Sequence, residues 1–236
     1  MLATVKWHTQ AGTLTADNRD AFAHAHAHAH THAHAHAHAS LYVIADGSSS
    51  HPRSGELAQA LLNDLTIGFN SLLTTELNAE QLAEALVRII AHSHKTLRND
   101  FPLAACSYLV FCLLPDTAFT VHEGDCCLGA IEDDGEISWL SAVHCAPNWQ
   151  GDLTHAQISQ ASLRHTLTRC FSARRTSSPE INYWPTRTNQ HWLLASDGFW
   201  AGLCAQEQQT FLRDGHLPAP PTDDDISCLS VITRTT

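Results

Sequence analysis

The chain has 236 residues, 44% of them hydrophobic and 16% charged, a composition that can bury a full globular core. Its formal net charge of −11 argues against nucleic acid or an anionic membrane as the main partner, because both demand clustered positive charge. No apolar run approaches the roughly 20 residues of a membrane span, and residues 1–8 lack the basic start and long apolar stretch of a secretory signal. The eight cysteines form no C-x-x-C pair, and most lie in apolar runs. They are expected to pack as small hydrophobes in a reducing, cytoplasmic setting rather than to hold zinc.

Residues 1–22 read as a first strand and the approach to an acidic phrase, Asn18-Arg19-Asp20-Ala21-Phe22. Residues 23–39 are a low-complexity His-Ala repeat. Leu41-Tyr42-Val43-Ile44 is a short buried strand running into Ala45-Asp46-Gly47, where glycine allows a tight turn. A helix opens at Ser54-Gly55-Glu56, with Leu57, Leu61, Leu62 and Leu65 at helical spacing. A second follows Asn78, an N-cap residue with Gln81 three positions on, and Leu82, Leu86, Ile89 and Ile90 supply its apolar face. Two such helices in succession predict an antiparallel layer over a sheet. From Ala104 the period becomes that of strands. Runs 106–114 and 118–121 flank a Pro115-Asp116 turn, and runs 128–131 and 137–140 flank Asp133-Asp134-Gly135. Residues 145–160 look like loop, 192–195 a buried strand, 217–221 a Pro-rich loop, and 228–233 the closing strand. Strands, two helices and more strands, with little βαβ alternation, predict an α+β sandwich in one domain spanning 1–236.

Three further acidic phrases are Gly124-Asp125, Ser196-Asp197-Gly198 and Asp223-Asp224-Asp225-Ile226-Ser227. With Asp20 and Asp46, each lies beside a strand-like run or a glycine, which is how a fold collects carboxylates at one end of a sheet. Carboxylates gathered without matching Lys or Arg repel one another unless a divalent cation joins them. Rival nucleophiles fare worse. Cys170 has Arg174 and Arg175 behind it, but with three or four residues between instead of the five of a cysteine phosphatase loop. Phe171-Ser172-Ala173 offers no glycine turn to cradle a phosphate. Neither a G-x-S-x-G elbow nor a G-x-x-x-x-G-K-[ST] loop is present.

Taken together, these phrases resemble the type 2C metal-dependent serine/threonine protein phosphatases over nearly the whole chain. Asn18-Arg19-Asp20-Ala21-Phe22 is similar to the family's N-E-D-A-F. Ala45-Asp46-Gly47-Ser48-Ser49-Ser50-His51 with Gly55-Glu56-Leu57-Ala58 is similar to A-D-G-M-G-G-H…G-E-x-A. Glu123-Gly124-Asp125, Leu167-Thr168-Arg169-Cys170, Leu193-Leu194-Ala195-Ser196-Asp197-Gly198 and Asp223-Asp224-Asp225-Ile226-Ser227 follow in the family's order. The resemblance implies a four-layer α-β-β-α sandwich with the metal site at one edge of the two sheets. It implies hydrolysis of phosphoserine and phosphothreonine on proteins, the products of a Ser/Thr kinase, by a water activated by two Mn²⁺ or Mg²⁺ ions, in a monomer. Asp46 would bridge the ions with help from the Gly47 carbonyl. Asp197 and Asp224 would hold one ion, Asp20 the second, and Asp125 a weaker third. His51 would protonate the leaving oxygen, as an imidazole titrating near neutrality can. Oxygen ligands of this kind select hard cations over zinc.

Four departures stand out. Arg19 replaces a glutamate, and Thr15 stands where an arginine often grips the substrate phosphate. Ser48-Ser49-Ser50 replaces Met-Gly-Gly, and Cys126-Cys127 replaces Ser-Arg. Arg19 and Arg53 are therefore the candidate phosphate-binding guanidiniums.

His24, His26, His28, His30, His32, His34, His36 and His38 alternate with small residues, so an extended strand would present all of them on one face. Such a comb could chelate Zn²⁺, Ni²⁺ or Cu²⁺, and in the family's layout it falls where a β-hairpin lies. Alanine pulls toward helix and offers little apolar face to pack. Two readings follow: a dispensable surface repeat, or a His-rich metal-binding or sensing protein on a catalytically impaired phosphatase scaffold.

Overall fold

The computed structural model describes residues 2–26, 39–72, 77–187, 189–219 and 222–234. Its elements run β1 (Leu2–Gln10), β2 (Asp20–His26), β3 (Ser40–Gly47), α1 (Ser54–Leu72), α2 (Ala79–Leu97), β4 (Ala105–Leu113), β5 (Thr117–Glu123), β6 (Cys127–Ile131) and β7 (Ile137–Trp139). They continue α3 (His155–Ser159), β8 (Phe171–Ser172), β9 (Glu180–Pro185), β10 (His191–Ala195), α4 (Asp197–Trp200), α5 (Ala205–Asp214) and β11 (Ile226–Arg234). One sheet has the order β1-β11-β10-β6-β7, the other β2-β3-β4-β5-β9 with β8 on the end of β4. Every pairing is antiparallel. α1 and α2 cover the second sheet, α3 to α5 the first, and the sheets face each other, which makes the four-layer α-β-β-α sandwich.

The period-2 alternation of strand side chains builds all three apolar layers from a few sequences. In β4, Cys106, Tyr108, Val110 and Cys112 point under α1 and α2, while Leu109, Phe111 and Leu113 point between the sheets. In β10, Leu193 and Ala195 face the helices of the first sheet, and Trp192 and Leu194 face inward. This two-sided burial explains why β3, β4 and β10 read as unbroken apolar runs. Phe111 and Trp192 meet across the middle layer with ring centroids 5.1 Å apart. α2 begins where expected: Asn78 Oδ1 accepts the Gln81 amide at 2.8 Å, and Gln81 Oε1 accepts the Asn78 amide at 3.1 Å.

The structure adds to the sequence reading in several places. The stretch 145–160, which reads as loop, contains α3, which starts with a second capping box, Thr154 with Gln157. The sequence pattern announces neither α5 nor β9. α5 is a mostly polar helix closed by Gly215 at φ 79°, and β9 is a half-exposed strand at the edge of its sheet. Both lack a strong apolar stripe, so periodicity carried little signal. The His-Ala repeat enters β2 as part of a hairpin with β3. Contrary to the expectation from alanine, Ala21 and Ala23 pack against the α1 layer and Ala25 is buried, because a small side chain fits beneath a close helix. His24 and His26 lie on the opposite face, ring centroids 5.3 Å apart, with His24 stacked toward Phe22. His28, His30, His32, His34, His36 and His38 lie outside the described residues.

Candidate active site

The antiparallel registers bring distant carboxylates to one edge of the two sheets. Asp20 opens β2 directly across from Asp46 near the end of β3. On its other side Asp46 pairs with Ser107 of β4. Asp125 follows β5, Asp197 is the first residue of α4 after β10, and Asp224 precedes β11. Asp46, Asp125, Asp197 and Asp224 line one cleft of about 330 Å³. Ser48, Ser49 and Ser50 form part of its rim. Asp20 lies beneath, both carboxylate oxygens buried without a hydrogen-bond partner.

Local backbone makes this convergence possible. A Cβ on Gly47 would stand 2.7 Å from the Gly55 amide nitrogen, so only glycine lets the start of α1 press on the end of β3. Gly124 has φ +106°, and a Cβ there would lie 2.2 Å from Ser107 Oγ. That same hydroxyl donates to Asp125 Oδ1 at 2.6 Å, and Trp200 Nε1 donates to the Asp125 carbonyl at 2.7 Å. Asp125 is therefore held from both ends.

Burial and mutual repulsion raise the acidities of this group. Burial pushes Asp46 well above the usual carboxylate range, and the charges of Asp20, Asp197, Asp125 and Asp224 add to it. Asp46 still keeps partial solvent contact through the cleft, although protein atoms surround it densely. Burial raises Asp20 in the same way, helped by Asp225 and Asp197. The nearby Ser227 and Ser196 hydroxyls oppose this, but neither reaches hydrogen-bonding geometry. Asp125 is raised to about 7, by burial first and then by Asp197, with the Ser107 hydrogen bond in opposition. Burial and Asp197 also raise Asp224. Asp197 behaves differently. Burial would raise it, but His165 and the Arg164 guanidinium together hold it below the usual range. Oxygen-rich, net-negative and with orphaned carboxylate oxygens, the donor set fits hard divalent cations.

Sequence reasoning missed Arg164 and His165. Arg164 Nη1 lies 2.8 Å from Asp197 Oδ2 and its Nη2 3.7 Å from Asp224 Oδ2. His165 Nδ1 lies 3.4 Å from Asp197 Oδ2. His165, Asp197 and Asp224 place donor atoms within 4.8 Å of one another. Only the fold lays Arg164 and His165 against Asp197 and Asp224, and no spacing rule announces it. His122, His144 and Glu180 form a second such group. There, His144 Nδ1 accepts the Gly124 amide at 3.2 Å, which leaves Nε2 as the protonated nitrogen facing Glu180 at 3.0 Å. That imidazole has no free lone pair for a metal and instead braces the Gly124 turn.

The remaining predicted residues are placed as follows. His51 Nδ1 accepts the Arg53 amide at 3.2 Å, so the neutral ring carries its proton on Nε2; the ring is not among the residues lining the cleft. The buried Arg19 guanidinium donates to the carbonyls of Ser48, Ser49 and His51 at 3.3, 3.1 and 3.1 Å and pairs with Asp17, so it fastens the serine turn. Arg53 pairs with Glu56, donates to the Asp100 carbonyl and stacks over Phe101. Neither arginine lines the cleft. Asp225 is structural: it takes the Gly12 and Arg19 amides at 2.9 and 2.7 Å. Cys170 borders the cleft, but burial raises its thiol pKa, which leaves it protonated and a poor nucleophile.

The four-layer sandwich is a fold shared with solved bacterial serine/threonine phosphatases. The S. agalactiae serine/threonine phosphatase superposes with a TM-score of 0.78 at 15% identity, covering 99% of this chain and 100% of that one. Staphylococcus aureus Stp1 gives 0.78 at 14% identity, over 100% of this chain and 96% of that one. The PstP catalytic domain solved with 2 manganese ions gives 0.68 at 15% identity, over 99% of each chain. At these identities the likeness is one of fold. No curated protein matches the chain in sequence. The chain itself belongs to the protein phosphatase 2C family, whose sequence profile matches residues 14–220.

Proposed function

We propose that this protein hydrolyses phosphoserine and phosphothreonine on proteins, as a monomer in a reducing cytoplasm, with two Mn²⁺ or Mg²⁺ ions. The observation that carries this reading is the convergence of Asp46, Asp125, Asp197 and Asp224 on one open cleft, with Asp20 orphaned beneath it. The eight unpaired cysteines support the reducing setting. No helix among the described residues is long and apolar enough to cross a membrane.

Asp46 would be shared by the two ions, with the Gly47 carbonyl beside it. Asp197 and Asp224 would complete one site, Asp20 would serve the other, and Asp125 would hold a weaker third ion. Bound there, such cations supply an activated water at neutral pH and neutralise charge on the phosphoryl group. The raised pKa values of Asp46, Asp20 and Asp224 are the protein's side of that arrangement: repulsion among the carboxylates is relieved when cations bind. Ser107 and Trp200 keep Asp125 from turning away from the cleft. His51, whose Nδ1 accepts the Arg53 amide when the ring is neutral, would in its imidazolium form protonate the leaving serine or threonine oxygen and return to that neutral state. Arg164 donates to Asp197 at 2.8 Å, so its guanidinium would share that carboxylate with a cation held there. No observation favours a catalytically impaired scaffold with a sensing role for the His-Ala repeat.

The test is Mn²⁺-dependent hydrolysis of an aryl phosphate and of a phosphothreonine peptide. Activity is expected in the wild type and should vanish in Asp46→Asn and Asp197→Asn. Equal rates in all three proteins would end the assignment.

A further inference from the structure

We infer that Arg174, steadied by Arg175, is the cationic contact for the substrate's phosphoryl oxygens, an inference that rests on the phosphatase reading above. The position where the family often carries a phosphate-gripping arginine holds Thr15, whose hydroxyl donates to the Asp17 carbonyl at 2.7 Å. The other two sequence candidates are engaged elsewhere, Arg19 on the serine turn and Arg53 on Glu56, Asp100 and Phe101. Arg174 and Arg175 do line the cleft, and with His165 they are its cationic lining residues.

Their placement has the geometry of an anion site. Neither guanidinium forms an ion pair with Asp46, Asp125, Asp197 or Asp224, although all of them border the same space. Carboxylates and guanidiniums therefore share the lining of one open cleft without pairing with each other. A phosphoryl group suits such a cleft. Some of its oxygens can face cations held by the carboxylates while others accept from a guanidinium. Arg174 has no hydrogen-bond or ionic partner among the described residues and is exposed, so it is available.

The backbone that carries the pair is anchored. His94 Nε2 on α2 reaches the Ser172 carbonyl at 3.0 Å and the Arg175 carbonyl at 2.7 Å. Arg175 Nη1 donates to the Leu167 carbonyl at 2.9 Å. Arg175 thus ties its own turn to the neighbouring segment, and Arg174 projects from a fixed base rather than from a mobile loop.

The full chain loaded with Mn²⁺ would be titrated with inorganic phosphate by calorimetry, and assayed for KM and kcat on a phosphothreonine peptide. Wild type, Arg174→Gln, Arg174→Lys and, as a control for net charge, Arg88→Gln on the exposed face of α2 would be compared. Arg174→Gln is expected to weaken phosphate binding about tenfold or more and to raise KM by a similar factor, the range for hydrogen bonds to charged groups. Its kcat and its Mn²⁺ affinity in the absence of phosphate should change little. Arg174→Lys should fall between, since it keeps charge but loses the planar fork. Arg88→Gln should match the wild type throughout. Wild-type phosphate affinity and KM in Arg174→Gln, beside an active wild type, would overturn the inference and leave the phosphatase reading standing. A wild type that binds phosphate through Arg174 but hydrolyses nothing would do the reverse. A wild type that binds no phosphate overturns the inference directly.

Discussion

Asp125→Asn in the metal-free protein isolates the electrostatic stress of the acidic cleft. In the fold the carboxyl of Asp125 titrates near 7, against an ordinary 3.8. A group whose folded pKa is raised contributes stability at low pH and loses it as pH rises through the folded value, because the unfolded chain releases the proton first. Each unit of that interval costs about 1.4 kcal/mol, so the full span from 3.8 to about 7 corresponds to about 4 kcal/mol, of which about 2 kcal/mol falls between pH 5 and pH 7. Asparagine keeps an acceptor for the Ser107 hydroxyl and has no proton to lose. The stability gap between variant and wild type should therefore widen in favour of asparagine by about 2 kcal/mol from pH 5 to pH 7, and then level off. Urea unfolding of chelator-treated protein at half-unit pH steps measures it. Other groups titrate in the same range, since burial lowers His122 and His155 to about 4, but they cancel in the difference between the two proteins. Saturating Mn²⁺ should reverse the preference, because the wild type regains a ligand. A gap that stays flat with pH, or that opens in favour of aspartate without metal, would refute the electrostatic argument.

Arg164→Gln removes the cation that sits on Asp197 and Asp224, so Mn²⁺ should bind roughly fivefold more tightly, the scale of a partly screened ion pair; calorimetry showing unchanged or weaker binding would rule out competition. If His51 protonates the leaving group, His51→Gln should slow phosphothreonine peptide hydrolysis by about 100-fold or more while sparing an aryl phosphate, whose leaving group needs no proton. His165→Gln should instead alter Mn²⁺ affinity; the opposite pattern in stopped assays on both substrates would move proton donation to His165. Gly124→Ala forces a side chain onto a φ of +106° and to within 2.2 Å of Ser107 Oγ. It should cost more than about 2 kcal/mol of stability, and near-wild-type denaturation would show that the turn relaxes freely.

What the sequence determined is what local chemistry can encode. The apolar runs of β3, β4 and β10 and the capping box at Asn78 fix those elements by burial and hydrogen bonding alone. The order of the aspartate phrases carries the family and, through it, the four layers. α5 and β9 escaped because half-exposed elements leave only a faint pattern, and the place of Ala21, Ala23 and Ala25 beneath α1 could not be read because it depends on a helix from elsewhere in the chain. Within the cleft the same division holds. Aspartate after a strand or before a helix is visible one phrase at a time. Which cations face those carboxylates is settled by loops that cross from other parts of the chain. Folding set Arg19 and Arg53 to structural contacts and brought Arg164, His165, Arg174 and Arg175 to the cleft. Charges act through space, and the distances between these side chains exist only once the sheets have stacked.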